Sequence, residues 1–239
     1  MKYIYGRNPV IEMLKAEKVD KLYIQQGNRE GSIKKIFGMA KSAGVLITEV
    51  NKNKLDEYAN GSNHQGVVAL VSDFEYSSIE EIQNLGIEKI LILDKIEDPH
   101  NFGAIARSAE AFGFNGIVIP KHNSAYVNDV VYKTSAGAIE RLKVAIVVNL
   151  TQTIEKLKEN GYWIYGTDLQ GENYSSVNLK GKIALIIGNE GKGMSQGLKK
   201  HVDGMLTIPM IGSINSLNAS CAASVLMAEV LKQDEATKL

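Results

Sequence analysis

The sequence predicts an α/β protein in two parts, a small α/β unit over residues 1–72 and a doubly wound domain with a parallel sheet over residues 87–239. Three observations carry that expectation. The chain has 239 residues, 44% of them hydrophobic, enough for one large core or two small ones. Its second part holds six short apolar runs that are continuous rather than alternating, as in strands covered on both faces. Helical text separates most of those runs, which is the alternation a doubly wound sheet requires.

Taken in order, Asn8-Pro9 reads as a cap followed by proline at the first helical position, opening a helix over residues 10–15. Residues 22–24 form a short apolar strand. Ile33, Ile36, Phe37 and Ala40 then fall at i, i+3, i+4 and i+7, one buried face of a helix. Residues 45–50 and 67–71 are further strands. The polar stretch 73–86 has only scattered apolar residues and is expected to be a linker. After it, strands are expected at 90–93, 116–119, 142–148, 162–165, 184–187 and 206–208, with helices over 103–112, 127–136, 151–160 and 195–201. A last helix over 216–232 carries Leu217, Cys221, Val225, Ala228 and Leu231 at helical spacing, which makes Cys221 a core thiol.

No run approaches the roughly 18 to 20 apolar residues a membrane span needs, so a membrane protein is excluded. Residues 1–15 lack an apolar stretch ending in small residues, and one cysteine cannot form an internal disulfide, so a cytoplasmic protein is expected. The 27 basic and 27 acidic residues cancel overall, but residues 1–73 hold 11 Lys+Arg against 8 Asp+Glu, leaving 16 against 19 for the rest. This slight basic excess fits either ordinary surface charge or a docking face for RNA.

Ligands of open α/β sheets bind at the carboxyl ends of the strands, and three loops there stand out. The first runs Asp94-Lys95-Ile96-Glu97-Asp98-Pro99-His100-Asn101-Phe102-Gly103-Ala104-Ile105-Ala106-Arg107; Arg107 lies about 200° round its helix from Ile105, away from the apolar stripe. The second, Gly188-Asn189-Glu190-Gly191-Lys192-Gly193-Met194, has three glycines in six residues and lets a ligand approach the backbone. Its order meets neither the dinucleotide fingerprint nor the phosphate-loop pattern, which argues against a nicotinamide dehydrogenase. The third, Ile208-Pro209-Met210 to Ser216-Leu217-Asn218-Ala219-Ser220, puts small polar residues at a helix start, where Ser216 or Asn218 serves most simply as a cap.

Together, in this order, the three loops resemble the motifs of the SpoU (TrmH-type) branch of the SPOUT RNA 2′-O-ribose methyltransferases: Asp98-Pro99-x-Asn101-x-Gly103-Ala104-Ile105-x-Arg107-Ser108-Ala109, Ile187-Gly188-Asn189-Glu190-Gly191-x-Gly193-Met194, and Ile208-Pro209-Met210 with Ser216-Leu217-Asn218-x-Ser220. The first part, from Tyr5-Gly6-Arg7-Asn8-Pro9-Val10 to His64-Gln65-Gly66-Val67, is similar to the L30e-like substrate-binding domain of the subgroup that methylates a guanosine in the peptidyl-transferase region of 23S rRNA. The resemblance implies a Rossmann-like SPOUT domain closed by a C-terminal trefoil knot, S-adenosylmethionine as cofactor, RNA as substrate and a homodimer. A tRNA ribose methyltransferase and a non-catalytic ribosome-assembly factor are the alternatives; the first domain argues against the former and the intact motif set against the latter.

The resemblance assigns catalytic-site roles to Arg107, Asn101, Glu190, Ser216 and Asn218, and cofactor contacts to Thr167, Gly188, Ile208 and Leu217, the last three through the backbone. Arg107 is the family's catalytic arginine; a guanidinium does not readily lose a proton, so holding phosphate and stabilising negative charge suits it better than acting as base. Asn101 orients Arg107 or the nucleotide, or caps its helix. No metal is implied, and Asp94, Glu97, Asp98 and His100 read as solvated loop charge. His64 either meets RNA or shapes a turn.

Overall fold

The computed structural model describes residues 2–15, 18–27, 31–71, 74–189, 191, 193–213 and 216–236, with Asp129 described by its backbone alone. Two compact units divide the chain, Met1–Glu75 and Tyr76–Leu239.

The first unit runs β1 (Lys2–Tyr5), α1 (Arg7–Lys15), β2 (Val19–Gln25), α2 (Ser32–Ser42), β3 (Leu46–Val50), α3 (Lys52–Tyr58) and β4 (Val67–Val71). Its sheet has the order β1-β4-β2-β3, with β4 antiparallel to both neighbours and β2 parallel to β3. The periodic residues of α1 and α2, among them Val10, Leu14, Ile33, Ile36 and Ala40, bury against Leu22, Ile24, Val67 and Ala69 on one face. On the other face, Leu55 of α3 and Ala59, just past its end, pack on Tyr23 and Val68. Neither β1 nor α3 is apparent in the periodicity. β1 is a four-residue edge strand with no fully buried position, and α3 has seven residues held by the Asn51 cap, whose side chain accepts from Lys54 N–H. His64 is buried. Its Nδ1 accepts from Gly66 N–H at 3.0 Å and its Nε2 lies 3.0 Å from Asp56 Oδ1, so it shapes the turn into β4.

The second unit begins with α4 (Ile79–Asn84), inside the stretch expected to be a linker. Ser78 caps it by accepting from Glu81 N–H, and its Ile79 and Ile82 bury with Ile90 and Ile92. Then follow β5 (Lys89–Leu93), α5 (Pro99–Ala111), β6 (Gly116–Pro120), α6 (Asp129–Thr134), a 3-10 turn (Ala138–Arg141), β7 (Lys143–Val147), α7 (Leu150–Glu159), β8 (Trp163–Asn173), β9 (Ile183–Ile187), β10 (Gly204–Thr207) and α8 (Ala219–Glu235). All six expected strands are present and every pairing is parallel, in the order β10-β8-β9-β5-β6-β7. From β5 the chain winds outward through β6 and β7, then returns to the other side, where β9 inserts between β5 and β8. The reversal falls beside β5, and the crevice at the carboxyl ends of β5, β9 and β8 is the expected ligand site.

Two helical expectations are corrected. Residues 195–201 form successive turns, with Leu198 N–H bonded to Ser195 O and His201 N–H to Leu198 O, the i→i+3 pattern of 3-10 geometry. The last helix starts at Ala219 because Asn218 is its cap, and it buries Ala219, Ala223, Leu226, Met227 and Val230. The stripe expected to be core lies on the other side: Leu217 and Cys221 are exposed and Val225, Ala228 and Leu231 half-buried. Alanine, valine, leucine and methionine occur all round this helix, so its spacing fits two faces equally.

Candidate active site

The crevice is built from the ends of three strands. Directly after β5 comes Asp94, only 2% exposed. Its carboxylate accepts from Ser195 N–H at 2.6 Å and Ser195 Oγ at 3.1 Å, and its own N–H donates to Ile187 O. Asp94 is therefore a buried strut holding the chain after the glycine loop, not solvated charge; a buried carboxylate is tolerable because two donors satisfy it. Asp98 caps α5, accepting from His100 N–H. Among the described residues no three His, Cys, Asp or Glu side chains converge as metal ligands, and no helix is long and apolar enough to cross a membrane.

The glycine loop after β9 closes on itself. Asn189 and Gly193 exchange backbone hydrogen bonds of 3.1 and 2.8 Å, and Asn189 accepts from Gly191 N–H and donates to Lys95 O through its side chain. Gly188 has no room for a side chain, since a Cβ would sit 2.4 Å from Gly193 C and Met194 N. Glu190 lies outside the described residues.

β8 and the segment after β10 supply the remaining walls. Thr167 Oγ1 donates to Ile186 O at 3.2 Å, pinning β8 beside β9. Asp168 and Lys199 form an ion pair at the rim, and the Lys199 hydrogen bond holds the Asp168 carboxyl below the usual carboxylate range. These walls enclose a cavity of about 370 Å³ that brings together Thr167, Gly188, Ile208, Ser216 and Leu217, drawn from segments expected to meet. Ile208 is half-buried and Leu217 is 38% exposed, so neither is plain core. Asp168 and Lys199, which line the same cavity, carry no sequence signal: the pair closes only when β8 and residue 199 are folded together.

Asn101, buried at the start of α5, accepts at Oδ1 from Asn218 Nδ2 at 2.9 Å. Asn218 Oδ1 caps α8 by accepting from Ser220 and Cys221 N–H. With Ser224 Oγ donating to Ser108 Oγ at 2.8 Å, this locks α8 onto α5 at the cavity's edge. Asn101 thus joins the first and third loops, while the cap of its helix is Asp98. Arg107 is exposed on α5, as its helical angle required, and is not among the residues lining the cavity. No hydrogen bond or ion pair engages its side chain among the described residues.

Known proteins share both the sequence and the fold of this chain. Residues 88–228 match the model of the SpoU rRNA Methylase family, and residues 3–77 match that of the RNA 2′-O ribose methyltransferase substrate-binding domain. A Bacillus subtilis (strain 168) protein, YacO, named for the TrmH family of tRNA/rRNA methyltransferases, is 42% identical over 97% of this chain and 95% of its own. An AdoMet-bound rRNA methyltransferase from Sinorhizobium meliloti shares the fold with a TM-score of 0.63 at 24% identity, covering 97% of this chain and 87% of that one. The A. aeolicus TrmH/SpoU tRNA modifying enzyme has a TM-score of 0.59 at 25% identity, covering 67% of this chain and 84% of that one. A family match across most of the larger unit, preceded by a matching substrate-binding unit, identifies the chain as a member of the SpoU (TrmH) family of RNA 2′-O-methyltransferases.

Proposed function

We propose that this protein transfers a methyl group from S-adenosylmethionine to the ribose 2′-hydroxyl of a guanosine in 23S rRNA, in the peptidyl-transferase region, working as a cytoplasmic homodimer with the C-terminal trefoil knot of its family. The observation that carries the reading is the single cavity in which Thr167, Gly188, Ile208, Ser216 and Leu217 meet. Its volume suits a nucleoside-sized ligand. Gly188 gives backbone access to one wall, and apolar Ile187, Met194 and Leu217 suit a flat adenine ring held by main-chain groups. When bound, S-adenosylmethionine supplies the electrophilic sulfonium methyl.

The chain's own residues do the rest. Arg107, uncommitted to any ion pair among the described residues, grips the phosphate next to the target ribose and offsets negative charge growing on O2′ as its proton leaves. Asn101 and Asn218, joined to each other, set the position of α5 and hence of Arg107. Ser216 faces the cavity from the third loop, and Glu190 in the second loop is assigned to the same site by the family motif.

The choice of rRNA over tRNA rests on the first unit, matched as a substrate-binding domain. The A. aeolicus tRNA enzyme covers only 67% of this chain, close to the share that Tyr76–Leu239 occupies. The homodimer rests on two features. Arg107 does not line its own chain's cavity, and Cys221 is exposed and Val225 half-buried one turn apart on α8, a face that a second copy would cover. Incubation with radiolabelled S-adenosylmethionine and either in-vitro transcribed 23S rRNA or bulk tRNA tests the substrate: label in 2′-O-methylguanosine of the rRNA is expected. Label in tRNA alone would make this a tRNA ribose methyltransferase.

A further inference from the structure

The sheet of the first unit is unevenly covered. Two helices bury one face, while α3, with seven residues and so about 10 Å long, is too short to cover a four-stranded sheet roughly 14 Å wide. The register puts Tyr3, Leu70, Lys21 and Leu46 in one row across that second face and Tyr5, Val68, Tyr23 and Thr48 in the next. A solvated sheet face ordinarily presents polar side chains. This one presents aromatic rings: Tyr3 and Tyr5 are 36% and 39% exposed, and Tyr58 from α3 stacks on Tyr3 with centroids 4.6 Å apart and planes at 17°. Tyr23 supports them from below, 4.6 Å from Tyr58.

Cations flank the rings. Lys21 Nζ lies 5.1 Å from the Tyr23 centroid and Lys54 Nζ 5.1 Å from that of Tyr58. Lys54 also pairs with Glu57 at 2.8 Å, while Asp56, on the same helix, is engaged with His64. Residues 1–73 carry the basic excess of the chain. Tyr3 and Tyr5, each more than a third exposed, with lysines alongside, fit a strand whose bases are unstacked and whose phosphates run past the cations. A duplex keeps its bases stacked on one another and offers no ring to these tyrosines.

We propose that this sheet face is a binding platform for single-stranded RNA, with bases stacking on Tyr3 and Tyr5 and the backbone passing Lys21 and Lys54. The proposal rests on RNA being the substrate and adds where, and in what form, the first unit holds it. Stacking is sequence-tolerant because every base has a π-face, and each phosphate-neutralising lysine adds about 0.7 to the salt slope on single strands.

Fluorescence anisotropy of the full-length protein with a labelled 12-nucleotide single strand and with the matching duplex tests this, beside calorimetric titration of S-adenosylmethionine and methyl transfer to rRNA. Tyr3→Leu and Tyr5→Leu are expected each to weaken single-strand binding at least 5-fold, with cofactor affinity unchanged and Tyr→Phe at either position close to wild type. Lys21→Gln with Lys54→Gln, changes at half-buried positions that keep the length of most of each side chain, lowers the salt slope by about 1.4, with a melt by circular dichroism confirming that the variant is folded. Leucine variants that bind the single strand as the wild type does, a wild type that binds no RNA or prefers the duplex, or an effect confined to self-association in sedimentation, each overturns the platform. If the wild type methylates rRNA while the leucine variants keep full affinity, the platform fails and the enzyme reading stands. If the leucine variants lose binding as expected in a protein that never transfers methyl, the platform stands and the enzyme reading fails.

Discussion

At the scale of single residues, Arg107 decides whether the exposed end of α5 is chemical or ornamental. Its guanidinium is outside the apolar stripe and free of ion pairs among the described residues, an arrangement that gives stability nothing. Arg107→Ala is therefore expected to leave stability within about 0.5 kcal/mol of wild type while lowering the single-turnover methyl-transfer rate by about 10²–10³-fold. Arg107→Lys restores little, because a point charge does not reproduce a bidentate fork. A rate unchanged in Arg107→Ala would remove the residue from the site. Asp20 carries a different expectation. Its Oδ2 is buried with no hydrogen-bond partner among the described residues, and burial pushes its carboxyl up to about 7. Because the folded form keeps a proton that the unfolded chain releases above about pH 4, stability falls as pH rises from 4 towards 7 and then levels. Asp20→Asn should raise the first unit's stability at pH 8 by about 1–2 kcal/mol and change it little at pH 4; equal shifts at both values, in melts followed by circular dichroism, would refute this. Gly188, Ile208 and Leu217, which the structure brings to one cavity, stand in the motifs, and Thr167 joins them only through the resemblance, as a wall after the strand at 162–165. Asp94 is not: its partner Ser195 lies 101 residues away, and a carboxylate in a polar loop reads as solvated until the donors are in view.

At the scale of elements, the strands of the second unit are legible because a parallel sheet buries both faces, and each run is continuous text. Segments that depart from such patterns are not. α3 is short and owes its start to a single cap; α4 is mostly polar outside Ile79 and Ile82; and α8, with apolar residues on more than one side through Leu231, conceals which face is inside. The junction of α5 and α8 tests how elements hold the site. Asn218→Ala removes a helix cap, at a cost of about 1 kcal/mol, and also the bond to Asn101. Asn218→Ser keeps a capping oxygen but is too short to reach Asn101 Oδ1 as well, so it should melt near wild type and still lose activity through kcat. Wild-type kcat in that variant would reduce the asparagine pair to a structural cap. In the glycine loop, Gly188→Ala drives a methyl group into the backbone of Gly193 and Met194. Cofactor binding by calorimetry is expected to disappear, with a loss of about 1–3 kcal/mol in stability.

At the scale of the whole molecule, strand order is the feature least accessible to sequence. Six apolar runs of similar length name no neighbours, and the insertion of β9 between β5 and β8 is set by packing that no local signal records. The division into two units is visible in the change from mixed to continuous patterning, although the structure puts the break at Glu75 and Tyr76. The proposed homodimer is tested by sedimentation: a dimer is expected, and Val225→Glu, which sets a charge at a half-buried position of α8, should yield monomers with greatly reduced methyl transfer. Fully active monomers would contradict the assembly and the sharing of a site between chains.

The central claim is that a ribose oxygen, and not a base, receives the methyl group. Its most direct test is alkaline hydrolysis of 23S rRNA labelled by this protein from radioactive S-adenosylmethionine. A 2′-O-methyl group blocks cleavage at its own phosphodiester, so the label should migrate as an alkali-resistant dinucleotide beginning with guanosine, and should vanish when Arg107→Ala replaces the wild type. Label released entirely in mononucleotides would mean base methylation and would contradict transfer to the ribose.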